Sequence, residues 1–252
     1  MDASDMQNMM AGRAYAYRIF HIVFGADPST EMLRLLGSDM TRQALSLFAS
    51  ESSAGSTNDA DRLETASPNG LGEDLAHDST RRRMAIKRSL DLCTYLADQA
   101  GNGQRVEELR REHDRTLVLP GLSYVHPWES PYVGKETMLF QPSTLDVRAR
   151  YATYGYVAKD KGHFPEDHVA MMCDFLAELA LRTHDACARE QPDEAQAIVA
   201  DQASFIENHL LTWLPKFVTK LAEKNQDGTY ASFAAALLAF VEDDHAYLAS
   251  LR

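Results

Sequence analysis

Apolar residues recur along most of the chain at steps of three and four, the spacing that gathers side chains on one face of an α-helix. Residues 7–24 are rich in Tyr, Ile, Phe and Met and stop at Gly25, with Pro28 just beyond, which predicts a first helix. Ser29 or Thr30 can cap a second, in which Met32, Leu33, Leu36, Met40, Ala44, Leu45 and Phe48 share one stripe. The pattern then vanishes. Residues 50–80 hold Ser, Thr, Asn, Asp, Gly and Pro with almost no large apolar side chain. Such a segment buries too little surface to offset its ordering entropy and is expected to be a disordered, mobile insertion between helices.

Order is expected to resume at Arg82. Met84, Ile86, Leu90, Cys93 and Leu96 mark one helix, ended by Gly101-Asn102-Gly103; Val106, Leu109 and His113 mark the next, ended by Pro120-Gly121. Residues 121–142 are aromatic, irregular and interrupted by prolines. Ser143 then opens a helix, with Asp146 spaced as in a capping box. Pro165 stands where a first-turn proline belongs, ahead of the stripe Val169, Met172, Cys173, Leu176, Leu179 and Ala180. Ile198, Val199, Phe205, Ile206, Leu210 and Trp213 form another stripe that ends near Pro215, and a last helix runs from Tyr230 to Leu251. No stretch alternates with period two. The predicted fold is all-α: one helical domain over residues 1–252, with a soft division near 121–142.

Composition narrows the function. With 252 residues, 45% of them hydrophobic, the chain can build a sizeable core. It carries 37 acidic against 25 basic side chains, so a phosphate-neutralising nucleic-acid binder is not expected. Residues 163–252 hold 15 acids and 6 bases, which concentrates the negative charge in the last third. That charge is either a solvated set of helix faces or a docking surface for a cationic partner. Three cysteines without a CxxC pair suggest neither a disulfide framework nor a zinc knuckle, and point to a reducing compartment. The N-terminus lacks a basic segment followed by an apolar one, and no apolar run approaches the ~20 residues of a spanning helix. A cytoplasmic protein without membrane insertion is expected.

No phosphate loop, HExxH, GxSxG or Rossmann glycine set is present, so nothing indicates nucleotide binding. The densest run of reactive side chains is His163-Phe164-Pro165-Glu166-Asp167-His168. As a metal site it is short of ligands, and adjacent Asp167 and His168 project about 100° apart on a helix, which is no dyad. An Asp at a helix start more often caps it. His209 shares a stripe with Phe205, Ile206 and Trp213 and reads as a core histidine with a hydrogen-bond partner. Trp213 likewise reads as core, whereas Trp128, in a loop between prolines, reads as an exposed recognition residue.

Four segments nevertheless stand in order: Pro127-Trp128-Glu129-Ser130-Pro131-Tyr132; the helix with Tyr151 and Gly155; Pro165-Glu166-Asp167-His168; and Phe205 through His209, Leu210, Trp213 and Pro215 to Phe217. Together they resemble the TorD/DmsD/NarJ-like family of redox-enzyme maturation chaperones, from about Val106 to Leu221. The resemblance implies a non-enzymatic, all-helical chaperone with no cofactor or metal of its own. Its partners would be the twin-arginine leader and the apo-protein of a molybdopterin-containing oxidoreductase; it would assist cofactor insertion and prevent premature Tat export. The family's leader-binding Asp-His pair carries over to Asp167 and His168, its Pro-aromatic segment to Pro127, Trp128, Ser130 and Tyr132, and its glycine to Gly155. Many members have Glu where this chain has Met172, although Asp174 and Glu178 lie nearby.

A twin-arginine leader needs carboxylates beside an apolar, aromatic-lined groove. Glu129, Glu166, Asp167 and Asp174 are candidates for the first, and Trp128, Tyr132, Tyr151 and Phe175 for the second, with Pro165 also among the candidate leader-binding residues. Met171 suits an adaptable groove, while Met172 reads as core. Two alternatives stand beside this reading. One is an assembly chaperone that binds the body of a non-exported molybdoenzyme; the other is a helical metal-dependent hydrolase using His163, Asp167 and His168, with Glu207 or His209. Long connections also allow a domain-swapped dimer as well as a monomer.

Overall fold

The computed structural model describes residues 3–48, 71–134, 142–157 and 165–252, and all regular structure among them is helical. The helices are α1 (Ala3–Gly25), α2 (Thr30–Leu36), α3 (Asp39–Leu45), α4 (Leu71–Asp98), α5 (Gly103–His113), α6 (Ser130–Val133), α7 (Pro142–Thr153), α8 (Val169–Ala188), α9 (Pro192–His209), α10 (Leu214–Asn225) and α11 (Thr229–Ser250). A single π-helical turn, Asp114–Val118, extends α5.

The centre of the molecule is α8. Its buried positions include Met172, Cys173, Leu176, Ala177 and Ala180, so it is apolar nearly all round, as a central helix must be. It packs along α1 on one side and α9 on another, while α11 lies against α4, α9 and α10. At the α1–α8 crossing, a Cβ on Gly25 would come within 2.8 Å of the Ala170 Cβ, so the absence of a side chain there sets how closely α1 approaches α8. One contiguous cluster of buried apolar side chains runs from Met10 in α1 to Leu248 in α11.

One charged group is sealed inside that cluster. Arg13 of α1 and Asp244 of α11 are fully buried and face each other. Arg13 Nε donates to Asp244 Oδ1, and Nη2 donates to Oδ2 at 2.9 Å. The Tyr17 hydroxyl donates to Oδ2 at 2.6 Å, and Arg13 Nη1 reaches Met10 Sδ at 2.9 Å. The Asp244 carboxylate thus receives three donors, the condition under which a buried ion pair is tolerated.

Several sequence expectations are corrected. The stripe from Met32 to Phe48 belongs to two helices: α2 ends at Gly37, whose N–H bonds to the Leu33 carbonyl, and the Ser38 hydroxyl accepts from Thr41 N at 3.2 Å to start α3. A Cβ at position 37 would lie 2.2 Å from the Ala97 Cβ, so Gly37 permits the close approach of α4, while the break itself lies at Ser38, whose backbone is extended. Helix α4 begins at Leu71 and takes in the last ten residues of the expected 50–80 insertion; residues 51–70 lie outside the described ones. Residues 214–225, which the sequence pattern leaves without an element because the stripe ends near Pro215, form a separate helix with Leu214, Phe217 and Leu221 buried. Pro165 precedes α8 by four residues and is not in its first turn. Among the described residues, no helix is long and apolar enough to cross a membrane.

Breaking a buried pair strands the remaining charge. Asp244→Ala is therefore expected to cost about 3–5 kcal/mol, read as a lowered urea midpoint. A cost below about 1 kcal/mol would show that Arg13 finds water or another partner once Asp244 is gone.

Candidate functional site

The irregular segment after α5 is tied down at both ends. Val125 N donates to the Thr116 carbonyl of the π turn at 2.8 Å, and the Tyr132 hydroxyl donates to the His126 carbonyl at 2.8 Å. Between these ties the chain runs antiparallel to the approach to α8, with Trp128 opposite His168. Glu129 N donates to the Asp167 carbonyl at 3.1 Å, and Val169 N to the Pro127 carbonyl at 2.8 Å. Two of the four segments that carry the resemblance therefore form one junction.

Asp167 is the peg of that junction. It is fully buried, and its Oδ2 accepts the Ser130 N–H at 2.9 Å, while Oδ1 has no hydrogen-bond partner. It does not cap α8; His168 does. The His168 Nδ1 accepts from Ala170 N at 3.1 Å, which assigns the ring proton to Nε2. Burial, followed by the nearby His113 and His21 imidazoles, lowers the His168 pKa to about 3.

Trp128 corrects the sequence reading. Its accessibility is 9%, because its ring meets His168 edge-on at 5.5 Å and leans on His126 at 5.9 Å. The indole N–H is buried without a hydrogen-bond partner, as are the Ser130 and Thr144 hydroxyls. Tyr132, Tyr151 and Phe175 are buried too. Tyr132 packs on Trp213 at 5.3 Å, and Tyr151 on Phe175 at 4.6 Å. Met172 is fully buried, and Met171 nearly so.

Each carboxylate considered for guanidinium recognition already has a partner within the chain. Glu129 is buried against His209, with its oxygens 3.2 and 3.3 Å from Nδ1. Burial raises the Glu129 pKa, and the bond to His209 opposes that rise. On the far side of the ring, His209 Nε2 lies 3.0 Å from Asp146 Oδ2. Asp146 thus faces His209 rather than completing a capping box, and the Ser143 hydroxyl has no hydrogen-bond partner. Asp174 is bonded by Arg18 and by the Tyr156 hydroxyl. Glu166 forms a two-pronged pair with Arg148, at 2.8 and 3.0 Å.

Sequence reasoning did not find these internal partners, because Arg18, Arg148 and Asp146 lie far along the chain from the groups they meet. His209 is the hydrogen-bonded core residue expected of it, and Trp213 Nε1 donates to the His209 carbonyl at 2.6 Å. Glu207 is exposed, and His163 lies outside the described residues. Among the described residues, Asp167 and His168 belong to no group of three metal-ligating side chains close enough to share an ion.

Gly155 has a defined backbone task. Its φ is +58°, Gly155 N bonds to the Ala152 carbonyl at 3.0 Å, and Tyr156 N bonds to the Tyr151 carbonyl at 2.9 Å. This pattern is a left-handed helix terminus. It folds Tyr156 back onto Tyr151, with ring centroids 4.9 Å apart, and carries the Tyr156 hydroxyl to Asp174. The Tyr151 hydroxyl donates to the Glu166 carbonyl at 2.9 Å, so α7 braces the turn before α8.

Residues 83–219, more than half of the chain, match the family model described as nitrate reductase delta subunit. The chain belongs to that family. The matched range covers the whole junction, together with α7 and α9, and agrees with the resemblance carried by the four ordered segments. Relatives include proteins named Chaperone protein TorD from Vibrio atlanticus, 35% identical over 49% of this chain and 56% of its own, and from Vibrio parahaemolyticus, 32% identical over 48% and 55%. The chain thus spans about half the length of these delta-subunit-family relatives. A protein of the same name from Aliivibrio fischeri is 26% identical over 94% of both chains.

Two expectations follow from the geometry. A histidine held neutral in the fold loses stability for it as pH falls from its unfolded value near 6.5 toward the folded value of about 3, because only the unfolded chain takes the proton over that window. His168→Asn, which keeps a capping acceptor, is expected to flatten this acid limb of urea stability against pH; an unchanged limb would assign it to other groups, such as His113. Gly155→Ala meets no atom within 4 Å yet is expected to cost about 1 kcal/mol through its positive φ, visible as a lowered Tm.

Proposed function

We propose that this delta-subunit-family protein is a molybdoenzyme-maturation chaperone, not an enzyme. In this reading it binds the twin-arginine leader and the apo-protein of a molybdopterin oxidoreductase, and it holds both until cofactor insertion is complete. Premature Tat export is thereby prevented. Family membership and the relatives named as chaperones support the coarser part of this reading.

The observation that carries the leader part is the Arg148–Glu166 pair. It is the accessible ion pair at the edge of the junction, with side-chain exposures of 53% and 29%. A leader arginine presents the same planar fork as Arg148, so it can take over both Glu166 oxygens by exchange. Exchange costs little, because solvent screens an exposed pair and leaves it only a small contribution to stability. Glu129, Asp167 and Asp174 then act behind the surface: their internal partners fix the turn that presents Glu166, and Pro165 and Tyr151 hold its backbone.

The test is calorimetric titration of the full chain with a synthetic twin-arginine leader and with its Lys-Lys variant. Binding is expected to weaken with added salt and with the Lys-Lys change. Glu166→Gln should weaken it roughly ten-fold, whereas Arg148→Ala, which removes the internal guanidinium that competes for the Glu166 carboxylate, should strengthen it. A weakening by Arg148→Ala would overturn the exchange. Failure to bind any such leader would favour recognition of the enzyme body instead.

A further inference from the structure

Away from the junction, one buried imidazole lacks a well-formed hydrogen bond. His113, the last residue of α5, is 3% exposed, and neither ring nitrogen has a hydrogen bond of good geometry, although Asp114 and the Phe24 backbone lie near enough to favour its charged form against burial. Its Nδ1 lies 3.7 Å from Asp114 Oδ1, too long for a hydrogen bond. The Asp27 carboxylate joins them from the loop between α1 and α2, and one ligating atom from each residue lies within 4.8 Å of the others.

The surroundings repeat this pattern of unmet demand. The Tyr230 ring lies 5.4 Å from the His113 ring, and its hydroxyl is likewise buried without a partner. That hydroxyl feels the charges of Glu112, Asp114 and Asp27. A π turn starts at Asp114, and single π turns often mark functional positions because they redirect one side chain out of helical register. Here it sets Asp114 beside the ring of its own neighbour, His113. Arg110 Nη2 donates to the Pro28 carbonyl at 2.9 Å, holding the loop that carries Asp27 against α5.

We propose that Asp27, His113 and Asp114 bind one divalent transition-metal ion of zinc-like character. One neutral imidazole and two carboxylates supply a mixed nitrogen and oxygen donor set whose charge matches a divalent ion. A tetrahedral ion with bonds of about 2.1 Å sets its ligand atoms about 3.4 Å apart. The 3.7 Å separation of His113 and Asp114 is close to that and wrong for a hydrogen bond. Asp27 is exposed, so its side chain is free to turn and close the remaining distance, with water completing the shell. The bound ion pins the α1–α2 loop to the end of α5. This inference is independent of leader binding.

The experiment uses the full chain, purified without a histidine tag, stripped with chelator and then titrated calorimetrically with Zn2+ and with Mn2+. Metal content is measured after equilibrium dialysis. One ion per chain and a raised Tm are expected. Asp27→Asn, at an exposed position, should weaken binding at least ten-fold without altering the circular dichroism, and Asp27→Asn with Asp114→Asn should abolish it. His113→Gln should do the same; if it does not fold, the aspartate pair decides. Absence of stoichiometric binding, or binding unchanged in the double variant, overturns the site.

Discussion

A carboxylate removed from water seeks donors, and the one that Asp167 finds, on a single oxygen, organises everything around it. Its oxygen holds the Ser130 amide while its own backbone carbonyl holds the Glu129 amide. A segment with three prolines and no periodicity is thereby fixed against the start of the central helix. Once that contact is made, His168 falls into the capping position of α8, Trp128 closes over it, and Glu129 is delivered to His209. No regular secondary structure accomplishes this. One bridge and one carboxylate do, and the Ser130 amide offsets part of the cost of burying that carboxylate.

The second constraint is the Arg13–Asp244 pair with Tyr17, which joins the first helix to the last through the core. Apolar helices can slide past one another in several registers, but a sealed guanidinium has one position in which its donors are met. The two constraints work at different ends of the same scaffold: one sets the frame of α1, α8 and α11, the other sets the surface turn at Glu166.

Helices were legible where a single face is apolar over three turns or more, as in α8 with Val169, Met172, Cys173, Leu176 and Leu179. The break between α2 and α3 was not, because the stripe continues through Gly37 and the extended Ser38 that restarts the helix leaves no gap in the apolar spacing. Helix α10 was hidden by Pro215, which reads as a stop from upstream and as a start from downstream. At the site, the order of motifs along the chain located the junction, but their burial was not readable. Trp128 carries a loop residue's sequence signature and a core residue's environment, since what covers it is His168 from another segment. The ionic partners Arg18, Arg148 and His209 were equally invisible, because a charge chooses its counterpart in space and leaves no spacing in sequence.

The stretch most recognisable by comparison, residues 83–219, contains the whole junction but neither α1 nor α11. Yet α8, on which the junction is mounted, is buried chiefly by α1, and the sealed ion pair has both its ends in the omitted helices. The portion that carries the family's signature is therefore not a unit of folding. Cut out alone, it would present the inner face of α8 to water and lose the frame that holds the Glu166 turn. Identity and autonomy reside in different parts of this chain, and any minimal version of the protein has to be trimmed along its packing rather than along its resemblance.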